Sequence, residues 1–181
     1  MKTNYFIIVL CSLFLTNCDS KPSLEKYFVK NSEDSNFISL DISPTILNID
    51  KKTLSDDEKK SLSSFEKMNI LAFKLDAANT SVYEAEKAKV QELLNADKYI
   101  FLMKAGSGKQ GFSVSYLGTD EKVDEIVVYA KSAETGFAVV RILGNGMTPT
   151  DMMHFIGIIQ KSKIDLEQLK PLQEMMPKKV D

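Results

Sequence analysis

Three apolar runs in the second half of the chain, Phe112–Leu117, Asp124–Ala130 and Phe137–Leu143, are separated by short polar turns. Runs of that length between turn residues read as strands, and links this short join strands only in antiparallel fashion. The sequence therefore predicts a three-stranded antiparallel meander. In the first run Phe112, Val114 and Tyr116 alternate with Ser113 and Ser115, which suits an edge. The other two runs are apolar on both faces and suit the centre of a sheet.

The remaining elements arrange themselves around that meander. Ser23 precedes Leu24, Tyr27 and Phe28, the stripe of a short amphipathic helix behind a serine cap, and the polar stretch Asn31–Asp34 ends it. Phe37–Ile42 alternates as a half-buried strand, with Ile38, Leu40 and Ile42 on one face, and Ser43-Pro44 closes it. Ser55 and Glu58 form a capping box. The helix behind it is expected to reach about Met68, with Leu62, Phe65 and Met68 on one side, and to lead into a central strand over Ile70–Leu75. A lysine- and glutamate-rich helix is expected over Ser81–Asn95, and a second short helix over Asp97–Lys104, stopping at Gly106. Thr148-Pro149-Thr150-Asp151 starts a helix with a capping threonine, proline at its first position and an acid in its first turn. Met152, Phe155, Ile156 and Ile159 form its core stripe, and a last short helix is expected from Asp165 to about Leu172.

The N-terminus has a different character. Lys2 is followed by eleven uncharged residues, Tyr5–Leu15, and then by Thr16, Asn17 and Cys18. A positive start and an apolar stretch too short for a ~30 Å hydrocarbon core form a secretory signal that is removed. Leu15-Thr16-Asn17-Cys18 resembles the lipobox of bacterial lipoproteins, with Asn17 standing where a smaller residue is usual. That resemblance implies that the Cys18 thiol takes a diacylglycerol and becomes the first residue of the mature chain. The other cysteine, Cys11, leaves with the signal, so Cys18 has no disulfide partner. Acyl chains at ~0.8 kcal/mol per buried CH₂ suffice as an anchor. The expected organisation is a signal peptide over residues 1–17, a lipidated cysteine and tether over 18–23, one domain over 24–174 and a charged tail over 175–181. With a net charge of −2 and a lone arginine, Arg141, the chain lacks the clustered positive charge that nucleic acid requires.

The order of elements in DEIVVYAKSAETGFAVVRILGNGMTPTDMMHFIGII is distinctive: a strand opening on an acidic pair, a strand ending in Leu-Gly, then a capped helix. It resembles the domain-of-unknown-function family 4252, small lipoproteins of Bacteroidetes, over roughly Leu24 to Leu172. The motifs are structural, and the resemblance implies no reaction, substrate or cofactor.

Residue types that can carry chemistry are few. Ala105–Gly111 is glycine-rich and contains Lys109, but a Walker loop needs glycine at the place of Met103 and Ser or Thr at the place of Gln110, and it leads into a helix where this segment meets a strand. The segment is expected to be a flexible helix-to-strand connection, with Ser107 and Lys109 too solvated to act as nucleophile and base. His154, the only histidine, is expected on a helix surface, and neither a metal site nor a serine-type triad is expected around it. Asp124 and Glu125 point to opposite strand faces and are expected to be solvated. Arg141 is expected to reach solvent along its apolar stem, with burial against a carboxylate as the other reading. Met147, Met152, Met153, Met175 and Met176 are expected to fill core, the alternative being a partner groove near the C-terminal helices.

These observations predict an α+β fold, a largely antiparallel sheet of about five strands with helices mainly on one face. No catalytic, cofactor or metal residue is assigned, and the one site residue is Cys18, for lipidation. The expected role is non-catalytic: an outer-membrane-anchored envelope protein that touches the membrane through Cys18 and an envelope protein through its surface. The alternatives are an envelope hydrolase with carboxylates assembled by the fold and a carrier of a small apolar ligand.

Overall fold

In a computed structural model, described over residues 21–96, 98–163 and 166–173, the chain forms an α+β domain around one six-stranded open sheet, every neighbouring pair antiparallel. The elements are α1 (Leu24–Asn31), β1 (Phe37–Ile42), α2 (Asp56–Ser64), β2 (Phe65–Lys74), α3 (Thr80–Asn95), β3 (Tyr99–Gly106), β4 (Gln110–Gly118), β5 (Val123–Ser132), β6 (Gly136–Met147), α4 (Pro149–Lys161) and α5 (Lys170–Gln173). Short 3₁₀ turns occupy Pro44–Leu47, Lys51–Thr53 and Leu166–Leu169. The sheet order is β1-β2-β6-β5-β4-β3. The expected signal segment, Cys11, Cys18, Met175, Met176 and the expected tail over 175–181 lie outside the described residues.

The meander is present as β4, β5 and β6, with β5 and β6 inside the sheet as their two-sided apolar patterns require. The Ser55–Glu58 capping box forms in both directions, and Thr148 and Asp151 form a second one with Pro149 at the first helical position. Ser23 caps α1 by accepting from the Lys26 amide at 3.3 Å.

Several expectations are corrected. The sheet has six strands, because Tyr99–Gly106 is a strand and not a short helix. That displaces β4 from the edge to the second position. The helix after Ser55 ends at Ser64, and β2 begins at Phe65, whose ring packs 4.8 Å from that of Phe155. Helices also cover both faces. With strand residues alternating in direction, Leu71, Phe73, Val127, Tyr129, Phe137 and Val139 meet Leu24, Tyr27 and Phe28 of α1 and Tyr83 and Val90 of α3. The opposite face, with Ile70, Ile126 and Ile142, meets Ile46, Leu47, Leu54 and, from α4, Phe155 and Ile158. Strands apolar on both sides expose hydrocarbon to water unless both sides are covered, at about 25 cal/mol for each Å².

The α1/α3 face is an aromatic cluster. Phe73 and Phe137 stack at 5.5 Å, Phe37 meets Phe73 edge-on at 5.1 Å, and Tyr83 and Tyr129 close on Phe137 at 6.0 Å each. Gly136 opens β6 at φ +117°, where a Cβ would fall 2.0 Å from the Phe73 carbonyl oxygen, so the β5–β6 turn can lie this close to β2 only with glycine.

Candidate functional site: an open strand edge and a basic groove

β3 forms the outer edge of the sheet and, among the described residues, pairs with β4 alone. A bulge between Phe101 and Met103 leaves Leu102 as the extra residue. Apolar side chains run through its middle in contact with solvent: Ile100, Phe101, Leu102 and Met103 are 42, 56, 41 and 51% exposed. The opposite edge, β1, is guarded differently. It is six residues long, buries both its ends, and turns Ser39 and Asp41 outward, with Asp41 accepting from Asn69. Short length, charge and bulges are the usual protections of a free edge; β3 has the bulge and one charge, Lys104, but is eight residues long and apolar through its centre.

Beside β3, on the α1/α3 face, lies an open groove of about 970 Å³. Gln91, Leu94 and Asn95 of α3 form one bank, and Tyr99 and Phe101 contribute to the other. Ser113 and Ser115, small and turned to this face, keep the floor low. Lys104 and Lys131 line it, and among the described residues no carboxylate does. The Tyr129 hydroxyl is buried in this region with no hydrogen-bond partner among the described residues, and burial first, then the neighbouring Tyr83 and the charge of Glu84, pushes its pKa up to about 12.

Ala105–Gly111 is the tip of the β3–β4 hairpin, and not a helix-to-strand connection. The Ser107 amide donates to the Gln110 carbonyl at 2.6 Å, and the Lys109 carbonyl accepts from the Ala133 amide at 2.8 Å. Gly106, at φ +116°, would place a Cβ 2.3 Å from the Gly111 Cα, so this pair allows the two strands to meet at the turn. Ser107 and Lys109 are both exposed there, and no phosphate cradle forms, since the segment leads into a strand and not a helix N-terminus.

At the other end of β3 the sequence reading is overturned twice. Arg141 is buried, and so is Glu125: both side chains are 7% exposed. Arg141 Nε and Nη2 donate to Glu125 Oε1 and Oε2, each at 2.9 Å, in a two-pronged pair. The guanidinium sits 5.2 Å from the centre of the Phe28 ring, and the Tyr99 hydroxyl reaches Glu125 Oε1 at 3.4 Å. Burial opposes the guanidinium charge, but the Glu125 hydrogen bonds and charge outweigh it and raise the Arg141 pKa. Pro22, Ser23, Lys98 and Tyr99 line a small pocket together with Glu125 and Arg141 at this end of β3. Asp124, in contrast, is on the surface, paired with Lys122 at 2.7 Å.

His154 is half-buried and bonded, where the sequence placed it on an exposed helix surface. Its Nδ1 is 3.0 Å from Ser61 Oγ, which donates to Asp151 Oδ1 at 2.7 Å and lies 2.9 Å from the Asp57 carbonyl. Serine, histidine and aspartate are thus together, but in the wrong order for nucleophilic catalysis. The aspartate bonds to the serine and not to the histidine, and Ser61 is 1% exposed. With its proton turned to Asp151, Ser61 offers a lone pair to Nδ1–H, so the cluster joins α2 to α4. Lys161 adds a second link between these helices, to Glu58 at 2.5 Å. Of the methionines, Met147 is buried, Met152 packs against the core and Met153 is 64% exposed.

Among the described residues no group of three or more His, Cys, Asp or Glu is placed to hold a metal ion, and no helix is long and apolar enough to cross a membrane. One family model matches, over residues 27–155, that of a domain of unknown function (DUF4252). No curated protein and no solved structure matches the chain.

Proposed function

The chain belongs to the DUF4252 family, and from that starting point we propose that it is a lipid-anchored protein of the cell envelope that acts without catalysis, by holding another protein at its exposed β3 edge. The anchor rests on the sequence pattern Leu15–Cys18 behind an uncharged stretch. The contact rests on one observation, the four consecutive apolar residues Ile100–Met103 standing in solvent on the outer edge of the sheet. A hydrolase built from carboxylates fits less well. The described carboxylates that depart from their ordinary pKa, Asp56, Glu58 and Asp151, are all lowered, whereas a general acid needs one raised. A carrier needs an enclosed apolar cavity, and the groove is open along the edge and lined by lysines.

Cell fractionation with mass spectrometry of the N-terminal peptide tests the anchor. Wild-type protein sits in the membrane fraction with an acylated Cys18 at its start, and Cys18→Ser is released as soluble protein. A free Cys18 thiol, or a mature start elsewhere, refutes it. A photo-crosslinking residue at Phe101 in cells tests the contact: it forms a discrete adduct that the same residue at Met153 does not.

A further inference from the structure

We propose that β3 and the neighbouring groove receive an extended, acid-rich segment of the partner as a seventh strand of the sheet. The inference rests on the protein-contact reading above and gives that partner a chemistry.

The backbone supplies the affinity. In an antiparallel edge strand every second residue turns its N–H and C=O outward, so Tyr99–Gly106 offers a row of unpaired donors and acceptors about 25 Å long, enough for a segment of roughly six to eight residues. Side chains supply the selection. Alternate residues of an added strand fall on the two faces of the sheet. On one face they meet Phe101 and the groove bounded by Leu94, and on the other they meet Ile100 and Met103, which pair with Tyr116 and Val114 of β4. Apolar residues are therefore favoured on both faces at the centre of the segment.

Charge decides between occupants. Lys98 precedes the strand, Lys104 lies on it, Lys109 is at the hairpin tip and Lys131 lines the groove; among the described residues none of these lysines forms an ion pair and no carboxylate lines the groove. A second copy of the chain pairing edge to edge would bring two acid-free strands together and set lysines near lysines across the seam, a like-charge arrangement that opposes association. An acidic segment meets the same lysines with the opposite sign.

The test uses the full-length protein purified from membranes and held in lipid nanodiscs at one copy per disc. A display library of random peptides of about twelve residues is panned against it, and enriched peptides are synthesised. The inference expects enriched peptides with apolar centres and an excess of Asp and Glu. Their binding should slow amide hydrogen exchange at Ile100–Ala105 by about tenfold or more. Lys104→Glu combined with Lys131→Glu, at exposed or half-exposed positions that leave the fold intact by thermal melting, should weaken binding about tenfold. No enrichment, enrichment without acids, or protection that maps elsewhere overturns it. Amides of β3 already protected in single-copy discs before peptide is added assign the edge to the bilayer, and protection that appears only at two copies per disc assigns it to a second copy; either result also overturns it. Mass spectrometry of Cys18 in the same preparation separates the readings, since an unacylated cysteine refutes the anchor while leaving the peptide result standing.

Discussion

Arg141 keeps its proton under all conditions in which the fold survives, so whatever surrounds it must accommodate a full positive charge. Glu125 does so with both oxygens, and the Phe28 ring lies over the guanidinium. Desolvating two such ions costs several kcal/mol, and their attraction roughly offsets this, so the pair adds little net stability while either partner alone is a liability. Glu125→Leu should therefore destabilise the protein by about 3–5 kcal/mol, and Arg141→Met combined with Glu125→Leu should recover most of that loss, read as urea unfolding midpoints. If the double variant is no more stable than Glu125→Leu alone, the pair is not a self-contained unit. The sequence contains the clue to this pair. Across the β5–β6 hairpin Val127 faces Arg141, which places Glu125, two residues back on the same face, diagonal to the arginine. Reading each charge by itself, as a solvated strand residue, misses a partner that only the hairpin register brings within reach.

At the level of elements, helices and interior strands follow from local chemistry, and the edge does not. Capping boxes at Ser55 and Thr148, and apolar runs bounded by turns, are signals held within a few residues, and both boxes and all three meander strands are present. The pattern of β3 is hidden because Ile100–Met103 is uniformly apolar and a bulge at Leu102 breaks any alternation. An apolar run is normally assigned to an interior, and here it lies in water. The α2–α4 seam was equally out of reach, since Ser61 and Asp151 are far apart in the chain and meet only through the fold. That seam has a pH signature. Burial raises the Asp151 pKa, but hydrogen bonds from Ser61 and Thr148 outweigh it and hold the native carboxyl below its ordinary value. A carboxyl whose pKa is lower when folded than when unfolded stabilises the fold fully above the unfolded value of about 3.9, and that contribution disappears as pH falls through the depressed native value. Asp151→Asn should thus lower stability at neutral pH and flatten the acid side of the stability profile below about pH 4, measured by urea unfolding from pH 7 to 2. An unchanged acid slope in the variant would remove Asp151 from the account. Ser61→Ala leaves the carboxylate short of a donor and should cost about 1–3 kcal/mol at neutral pH.

Across the whole molecule, stability is graded from the middle of the sheet to one side. β2 and β6 have hydrogen-bonded neighbours on both edges and covered faces on both sides, and Leu71, Phe73 and Val139 are wholly shut off from solvent. Among the described residues β3 has one neighbour, and every residue from Ile100 to Gly106 is exposed. Little hydrocarbon is uncovered when β3 detaches from β4, so its release costs far less than unfolding the domain. Native-state hydrogen exchange should show this as a gradient: hydrogen-bonded amides of β2 and β6 exchanging only with global unfolding, β5 and β4 in between, and the β3 amides bonded to β4 exchanging about a hundredfold faster than the centre or more. The same weakness suits an edge that accepts another strand, because a loosely held outer strand can adjust its bulge and twist to an incoming one. If β3 exchanges as slowly as β6 in the isolated protein, the gradient is absent. The edge is then held by something other than β4, and the apolar side chains of Ile100–Met103 require a different explanation.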